Sequence, residues 1–365
     1  MLSKMFAIGI SLVLCFALVI LESVDAQCIG DRYNTMLSCW NIKKISRESL
    51  NKTFENCTSL HIINTTEPLG ISAFRNMKNL IHLKISGDRI GLIFSETFKD
   101  MPHLKDVHIE FIKIGDIQES AFFNLPELEF VTIINMDIPF LRRGLFRNDP
   151  QLFSISFYNS NIHYIQNDPF YDVPKLKELF LDNNLLTVVT KDMLNKLTNL
   201  EILILSNNNI SIIENNSFYQ TPHLSYLDLM NNQLKELDWN MFPTTGMKYL
   251  QEIYLNGNQL MYLPSTFFNK TPKLEKFGIN GNPWLCPCLR DIERILNENN
   301  IRELWSRPKS TDVSVQQPSP RIPICINRNV SNDICTNTYS EELSKKYWKY
   351  LEDYEDFFYK LPSEF

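Results

Sequence analysis

Leucine returns every 24 residues along the middle of this chain, at Leu80, Leu104, Leu128, Leu152, Leu176, Leu200 and Leu224, then at Leu250 after a two-residue insertion, and at Leu274. Behind each leading leucine the apolar positions alternate. From Leu176 the chain reads Leu179, Leu181, Asn184, Leu186 and Val189, and from Leu200 it reads Leu203, Leu205, Asn208, Ile210 and Ile213. A period of two predicts a short strand whose fourth and sixth positions share the inner face, while positions three, five and seven project from the other. Six residues before the leading leucine stands a second apolar mark: Phe74, Phe98, Phe122, Phe146, Phe170, Leu194, Phe218 and Phe268. It predicts a stack on the return side of each turn. The insertion leaves Phe242 two places early, which predicts a break in that stack and a bulge near residues 244–247.

A period of this length carrying L-x-x-L-x-L-x-x-N-x-L resembles the leucine-rich repeat, in which each turn is one strand plus a return segment. The resemblance implies an α/β solenoid, a horseshoe with a parallel concave sheet and disulfide-bonded caps at both ends. An asparagine at position nine is expected to turn inward and bond neighbouring backbone, because buried backbone groups left unpaired are costly. Asn184, Asn208, Asn232, Asn258 and Asn282 keep this residue, whereas Asp88, Ile112, Met136 and Ser160 replace it. The solenoid therefore divides into an irregular first half and a regular second half.

The ends of the chain carry different signals. Met1 to Ala26 reads as a secretory signal peptide, with Lys4 at its start, an apolar run from Ile8 to Leu21 and small residues before a cleavage point. Residues 27–56 then form an N-terminal cap, 57–281 one degenerate and nine full repeats, 282–335 a cysteine-rich cap, and 336–365 an acidic, aromatic tail. No later run is long and apolar enough for a bilayer, so the expected product is secreted, with no stable membrane anchor. Seven cysteines follow the signal segment: Cys28, Cys39, Cys57, Cys286, Cys288, Cys325 and Cys335. Secretion makes them candidates for disulfides. Cys28 and Cys39 are expected to close a small hairpin. The run Asn282-Pro-Trp-Leu-Cys286-Pro-Cys288 is similar to the start of the C-terminal cap of extracellular leucine-rich repeat proteins, which implies pairing of Cys286 with Cys325 and of Cys288 with Cys335. Cys57 is left over. It occupies a leading-leucine slot, where it serves either as a small buried apolar residue or as a bridge to another chain.

Seven N-x-Ser/Thr sequons, at Asn51, Asn56, Asn64, Asn209, Asn215, Asn269 and Asn329, are expected glycosylation sites of a secreted chain. None falls on a strand position that would line the concave face. That face gathers Phe130, Ile134, Tyr158, Phe180, Ile202, Ile204, Tyr226, Met230 and Tyr254, interleaved with acids that include Asp182 and Asp228. With strands about 4.8 Å apart, these positions form one patch roughly 25 Å long. An exposed apolar patch of this kind marks a binding surface, and its chemistry points to an extracellular protein or peptide with apolar groups and some basic side chains. Net charge −6 argues against nucleic acid, which needs a basic track. No catalytic motif, cofactor-binding loop or metal-ligand spacing is present. His82, Asp106 and His108 come near one another on adjacent strands, without a third strong ligand. An enzyme is not expected.

In the tail, Leu343, Tyr347, Leu351, Tyr354, Phe358 and Leu361 follow helical spacing. This stripe either docks on the cap or meets a partner or second copy; alternatively Tyr354, among Asp353, Glu355 and Asp356, is sulfated in an acidic tail. Two routes to a dimer thus exist, through Cys57 and through the tail. The simple Cys28/Cys39 cap and the Cys286-Pro-Cys288 cap are similar to secreted insect leucine-rich repeat proteins, among them mosquito immune proteins. That resemblance implies a recognition role in innate defence; a matrix or adhesion component, or a venom or salivary factor, is the other reading.

Overall fold

The structure, a computed structural model, describes residues 27–30, 36–40, 57–63, 71, 73–74, 77–87, 92–111, 116–264 and 266–304. The signal segment, Cys325, Cys335, the sequons at Asn51, Asn56, Asn64 and Asn329, and the acidic tail with Tyr354 lie outside them.

Thirteen strands form one sheet in chain order: β1 (Gln27–Gly30), β2 (Met36–Trp40), β3 (Ser59–Ile63), β4 (His82–Gly87), β5 (Asp106–Phe111), β6 (Phe130–Ile134), β7 (Ser154–Tyr158), β8 (Glu178–Phe180), β9 (Ile202–Ile204), β10 (Tyr226–Asp228), β11 (Glu252–Tyr254), β12 (Lys276–Gly278) and β13 (Arg302–Glu303). Only β1 and β2 run antiparallel; every later pair is parallel, with residues one repeat apart in register, as in Phe130↔Ser154 and Ile202↔Tyr226. A constant register follows from the constant spacing of the leucines, since a one-residue slip would turn each inner face outward. The fourth and sixth positions are buried as the alternation predicts, for example Leu179 and Leu181, or Leu203 and Leu205.

Two rows of asparagine turn the chain after each strand. At position eight the backbone is left-handed, with φ of 58° at Asn135, 50° at Asn159, 57° at Asn183, 56° at Asn207 and 55° at Asn231, and glycine takes over at Gly257 and Gly281. Asparagine and glycine tolerate this conformation where bulkier residues do not. At position nine the expected inward asparagines are in place. Asn208 donates to the Leu181 carbonyl one repeat earlier at 2.9 Å and accepts from the Leu186 amide at 3.0 Å, and Asn184, Asn232, Asn258 and Asn282 repeat the pattern. In the irregular half, Met136 fills the same slot as an apolar residue, while the Ser160 hydroxyl bonds its own neighbourhood at the Tyr158 carbonyl. Strands there are five or six residues long, from β3 to β7, and three residues long from β8 to β12.

On the return side, Phe74, Phe98, Phe122, Phe146 and Phe170 stack with ring centroids 4.8–6.0 Å apart. The expected break at the insertion does not occur. Phe242 is buried and lies 5.7 Å from both Phe218 and Phe267, so the extra residues loop out after the ring, through Gly246 at φ 74°. Phe267, rather than Phe268, takes the next place in the stack. A four-residue helical turn, Thr266–Asn269, carries the pair, and rotation along that turn brings the first ring inward.

Cys28 and Cys39 are directly opposed across β1 and β2. Cys57 is buried at the edge of the first turn, with its thiol donating to the Ser59 carbonyl at 3.2 Å. A bond from this sulfur to another chain would require that turn to open, so the buried slot is the position it takes. At the other end, helix α1 (Cys286–Glu298) covers the terminal repeat with Cys286, Cys288, Leu289, Ile292 and Leu296 on its buried side. Trp284 is fully buried beside it and donates to the Ile279 carbonyl at 2.8 Å. Among the described residues no helix is long and apolar enough to cross a membrane.

Candidate binding surface

Three parallel rows of side chains make up the concave face, from positions three, five and seven of each strand. The first runs His82, Asp106, Phe130, Ser154, Glu178, Ile202, Tyr226, Glu252, Lys276, and the second Lys84, His108, Thr132, Ser156, Phe180, Ile204, Asp228, Tyr254, Gly278. The third row includes Glu110 and Ile134, which pair in register, then Tyr158, Asp182, Ser206 and Met230. Register alone therefore brings the candidate site residues onto one surface.

Their exposure differs sharply along the solenoid. Phe130 is 41% exposed, and Ile134, Tyr158, Phe180, Asp182, Ile202, Tyr226 and Met230 are half-buried. Ile204, Asp228 and Tyr254, expected to be open to a partner, are instead buried at 2%, 0% and 0% exposure. All three lie in the middle row, walled by the outer rows on both sides. Here the neighbours are bulky: the Tyr226 and Tyr254 rings pack 5.3 Å apart, and the Tyr254 hydroxyl donates to Glu252 at 2.9 Å. Burial, with Tyr226 and Glu252 adjoining, pushes the Tyr254 hydroxyl well above the usual phenol range. Asp228 turns back on its own strand, accepting from the Met230 amide at 2.9 Å. These residues form a floor that sets the shape of the surface, not its contact points.

The C-terminal end of this floor is closed by a reach across a glycine. A Cβ on Gly278 would lie 2.0 Å from the Asn256 side-chain oxygen, and through that gap Asn256 donates to the Leu304 carbonyl at 3.2 Å. Asn280 donates to the same carbonyl at 3.4 Å. Glu252 is held by Lys276 at 2.6 Å. In the centre of the face Thr132, Ser154 and Ser156 are small, half-buried side chains between the exposed Phe130 and the half-buried Tyr158 and Phe180, while the exposed His82 and Lys84 lie at its N-terminal end.

At the N-terminal end the face becomes charged. His82 and Asp106 approach to 3.8 Å, His108 and Glu110 to 3.7 Å, and His61, which sequence reading passed over, bonds the Ser86 hydroxyl at 3.0 Å. Burial, then Lys84 and His108, lower the His61 pKa; burial raises that of Asp106 against the opposing pull of His82 and His108. The signal for His61 was available in the degenerate first repeat, where it shares the row of Lys84 and His108. Among the described residues no group of three or more His, Cys, Asp or Glu side chains is placed to hold a metal ion.

Of the sequons within the described residues, Asn215 and Asn269 are exposed and Asn209 is half-buried. All three lie off the concave sheet, as expected. Asn209 is on the strand-exit edge, accepting from Gln233 at 3.3 Å.

A stacked solenoid with short parallel strands, a phenylalanine spine and inward asparagines defines the class: an open repeat scaffold that displays one extended curved sheet. The sequence matches the leucine rich repeat description over residues 174–234 and 222–283, and the BspA type leucine rich repeat region over residues 33–152. This chain belongs to the leucine-rich repeat family. The two descriptions divide the chain where the position-nine asparagines begin. Over 89 residues it is 26% identical to Protein toll of Drosophila melanogaster, covering 24% of this chain and 8% of that protein. Similar solved structures include the mouse RP105/MD-1 complex (TM-score 0.57, 21% identity, 79% of this chain and 47% of that one). The TLR13–ssRNA13 complex gives a TM-score of 0.54 at 20% identity over 65% of this chain and 38% of that one. A chain of the octameric complex of Latrophilin 3, Unc5D and FLRT2 gives 0.56 at 18% identity over 74% and 88%. The chain spans less than half the length of the Toll, RP105 and TLR13 matches.

Proposed function

We propose that this protein is a secreted, glycosylated recognition scaffold that holds an extracellular protein or peptide on the centre of its concave face, in innate immune recognition. The observation that carries this reading is the partly exposed apolar patch of Phe130, Ile134, Tyr158 and Phe180, bordered by Asp106 and Glu110 on one side and Glu178 and Asp182 on the other. Aromatic and aliphatic anchors in the centre with carboxylates at the rim suit a ligand that presents apolar side chains flanked by Lys or Arg. The likeness to the RP105/MD-1 complex, in which a solenoid of this fold is joined to another protein, supports a protein partner. Pairing of Cys28 with Cys39, supported by their direct opposition, and of Cys286 and Cys288 with Cys325 and Cys335 would seal both ends in an oxidising compartment.

The TLR13–ssRNA13 complex shows that a solenoid of this fold holds single-stranded RNA, but the present face carries the carboxylates Asp106, Glu110, Glu178, Asp182 and Glu252. Like-charge repulsion there opposes nucleic acid. Adhesion is the second reading, and it uses the same surface. Site of expression and induction by infection separate the two.

The glycosylated mature chain, used as bait in extracellular fluid of the source organism, tests the reading. A partner retained by the wild type and by Tyr219→Ala on the convex side, but held about tenfold or more weakly by Phe130→Ala or Phe180→Ala, is the expected result. Equal retention by all four chains would refute the concave site.

A further inference from the structure

Between the last repeat and helix α1 lies a cleft of about 370 Å³, lined by Phe268, Asn269, Pro272, Arg294, Asn299 and Ile301 among others. One wall is the return turn 268–274, the other the C-terminal end of α1 and the residues after it. Its size falls within the roughly 300–1,000 Å³ of small-molecule sites. Asn269 ends the helical turn Thr266–Asn269, is exposed, and is followed two residues later by Thr271, which completes an N-x-Thr sequon.

We propose that Asn269 carries an N-linked glycan whose first sugars occupy this cleft and fasten α1 to the last repeat. The inference rests on the secretory reading given above. Attachment replaces one hydrogen of the Asn269 amide nitrogen with the anomeric carbon of an N-acetylhexosamine. The donor is a lipid-linked oligosaccharide diphosphate: its anomeric C–O bond breaks, the lipid diphosphate leaves with the electron pair, and the amide proton passes to a base of the transferase.

The lining fits a sugar better than an apolar ligand. A pyranose has C–H faces and a hydroxyl rim; Phe268 and Pro272 offer apolar surface for the first, while Arg294 and Asn299 offer donors and acceptors for the second. Arg294 pairs with Glu298 at 3.0 and 3.1 Å and with Asp291 at 3.7 Å, which sets an exposed guanidinium beside the cleft. Asn299 is held by the Ile295 carbonyl at 2.8 Å. A shallow open cleft would hold a free monosaccharide weakly; covalent attachment at its rim supplies a local concentration in the millimolar range. Asn209 and Asn215 are not among the residues that line it.

The full mature chain, secreted from a eukaryotic host, gives the test by glycopeptide mapping, enzymatic glycan release from the native protein, and amide exchange. The expected result is an occupied Asn269 whose glycan is released about tenfold more slowly than that of Asn215, with Asn269→Gln raising exchange in 286–298 about tenfold. Asn215→Gln, which removes a sequon away from the cleft, should leave that exchange unchanged. An empty Asn269 beside occupied Asn209 and Asn215 overturns this inference and leaves the glycoprotein reading standing. Equal release rates with unchanged exchange overturn it as well. Seven empty sequons would overturn both.

Discussion

The side-chain amide of Asn232 donates to the carbonyl of Leu205, one repeat earlier, at 2.9 Å. Its oxygen accepts from the Ile210 amide at 2.9 Å, and its nitrogen also reaches the Leu229 carbonyl at 3.1 Å. One buried side chain therefore pairs backbone groups of adjacent turns that sheet bonds do not reach. Asn232→Ala would leave these groups buried and unpaired, at about 1–3 kcal/mol each. We expect a stability loss of at least about 2 kcal/mol in chemical denaturation, against a negligible change for the exposed Lys191→Ala.

The phenylalanine spine predicts a cavity effect. Phe146 is fully buried, with ring centroids 4.8 Å from Phe122, 6.0 Å from Phe170 and 6.3 Å from Phe157. Phe146→Ala should cost roughly 3–5 kcal/mol. Because each repeat contacts only its neighbours, amide exchange should rise first in β6 to β8 and not in β11 to β13. Uniform acceleration along the chain would show instead that the solenoid opens as one unit.

Asp149 links stability to pH. Its carboxylate is fully buried, accepting from the amides of Leu125 at 2.9 Å and Arg147 at 3.2 Å. Burial outweighs both bonds and raises its pKa from the ordinary 3.8 to about 7. The folded protein thus binds a proton that the unfolded chain has already lost between these values, so this group's contribution is full below pH 3.8 and declines as pH rises to about 7. The slope is at most about 1.4 kcal/mol per pH unit. Denaturation midpoints of the wild type measured from pH 4.5 to 7.5 should fall relative to those of Asp149→Asn. Parallel profiles would contradict the assignment.

How much of this was readable beforehand depended on which interaction set each position. The leucine spacing determined the sheet, its register and the inner faces, because a regular repeat leaves one way to stack. It also assigned Asn184 to Asn282 their inward role and Cys57 its buried slot. Exposure on the concave side was less legible. Period-two alternation says that Ile204, Asp228 and Tyr254 leave the core, yet it does not register that Tyr226 and Glu252 pack against Tyr254 or that Asp228 turns back to the Met230 amide. The place of Phe242 was misjudged because counting residues treats an insertion as a shift of everything before it; the ring keeps its place in the stack, and the chain bulges within the expected 244–247, through the left-handed Gly246.

Gly278 is a specific case of space required by a neighbour. An alanine methyl there would meet the Asn256 oxygen at 2.0 Å and the Tyr254 ring at 3.2 Å. Gly278→Ala should destabilise by about 1–3 kcal/mol and release Asn256 from the Leu304 carbonyl, seen as faster amide exchange in β12 and β13. No change in either would mean that Asn256 moves aside freely.

The account depends most on the centre of the concave face being the contact surface. A photoreactive amino acid placed at Phe180, and separately at the exposed convex Tyr219, in otherwise unchanged secreted protein tests this directly after irradiation in the source organism's extracellular fluid. The prediction is a discrete protein adduct from position 180, suppressed by Phe130→Ala, and none from position 219. Adducts of the same mass and yield from both positions, or a position 180 adduct indifferent to Phe130→Ala, would contradict it.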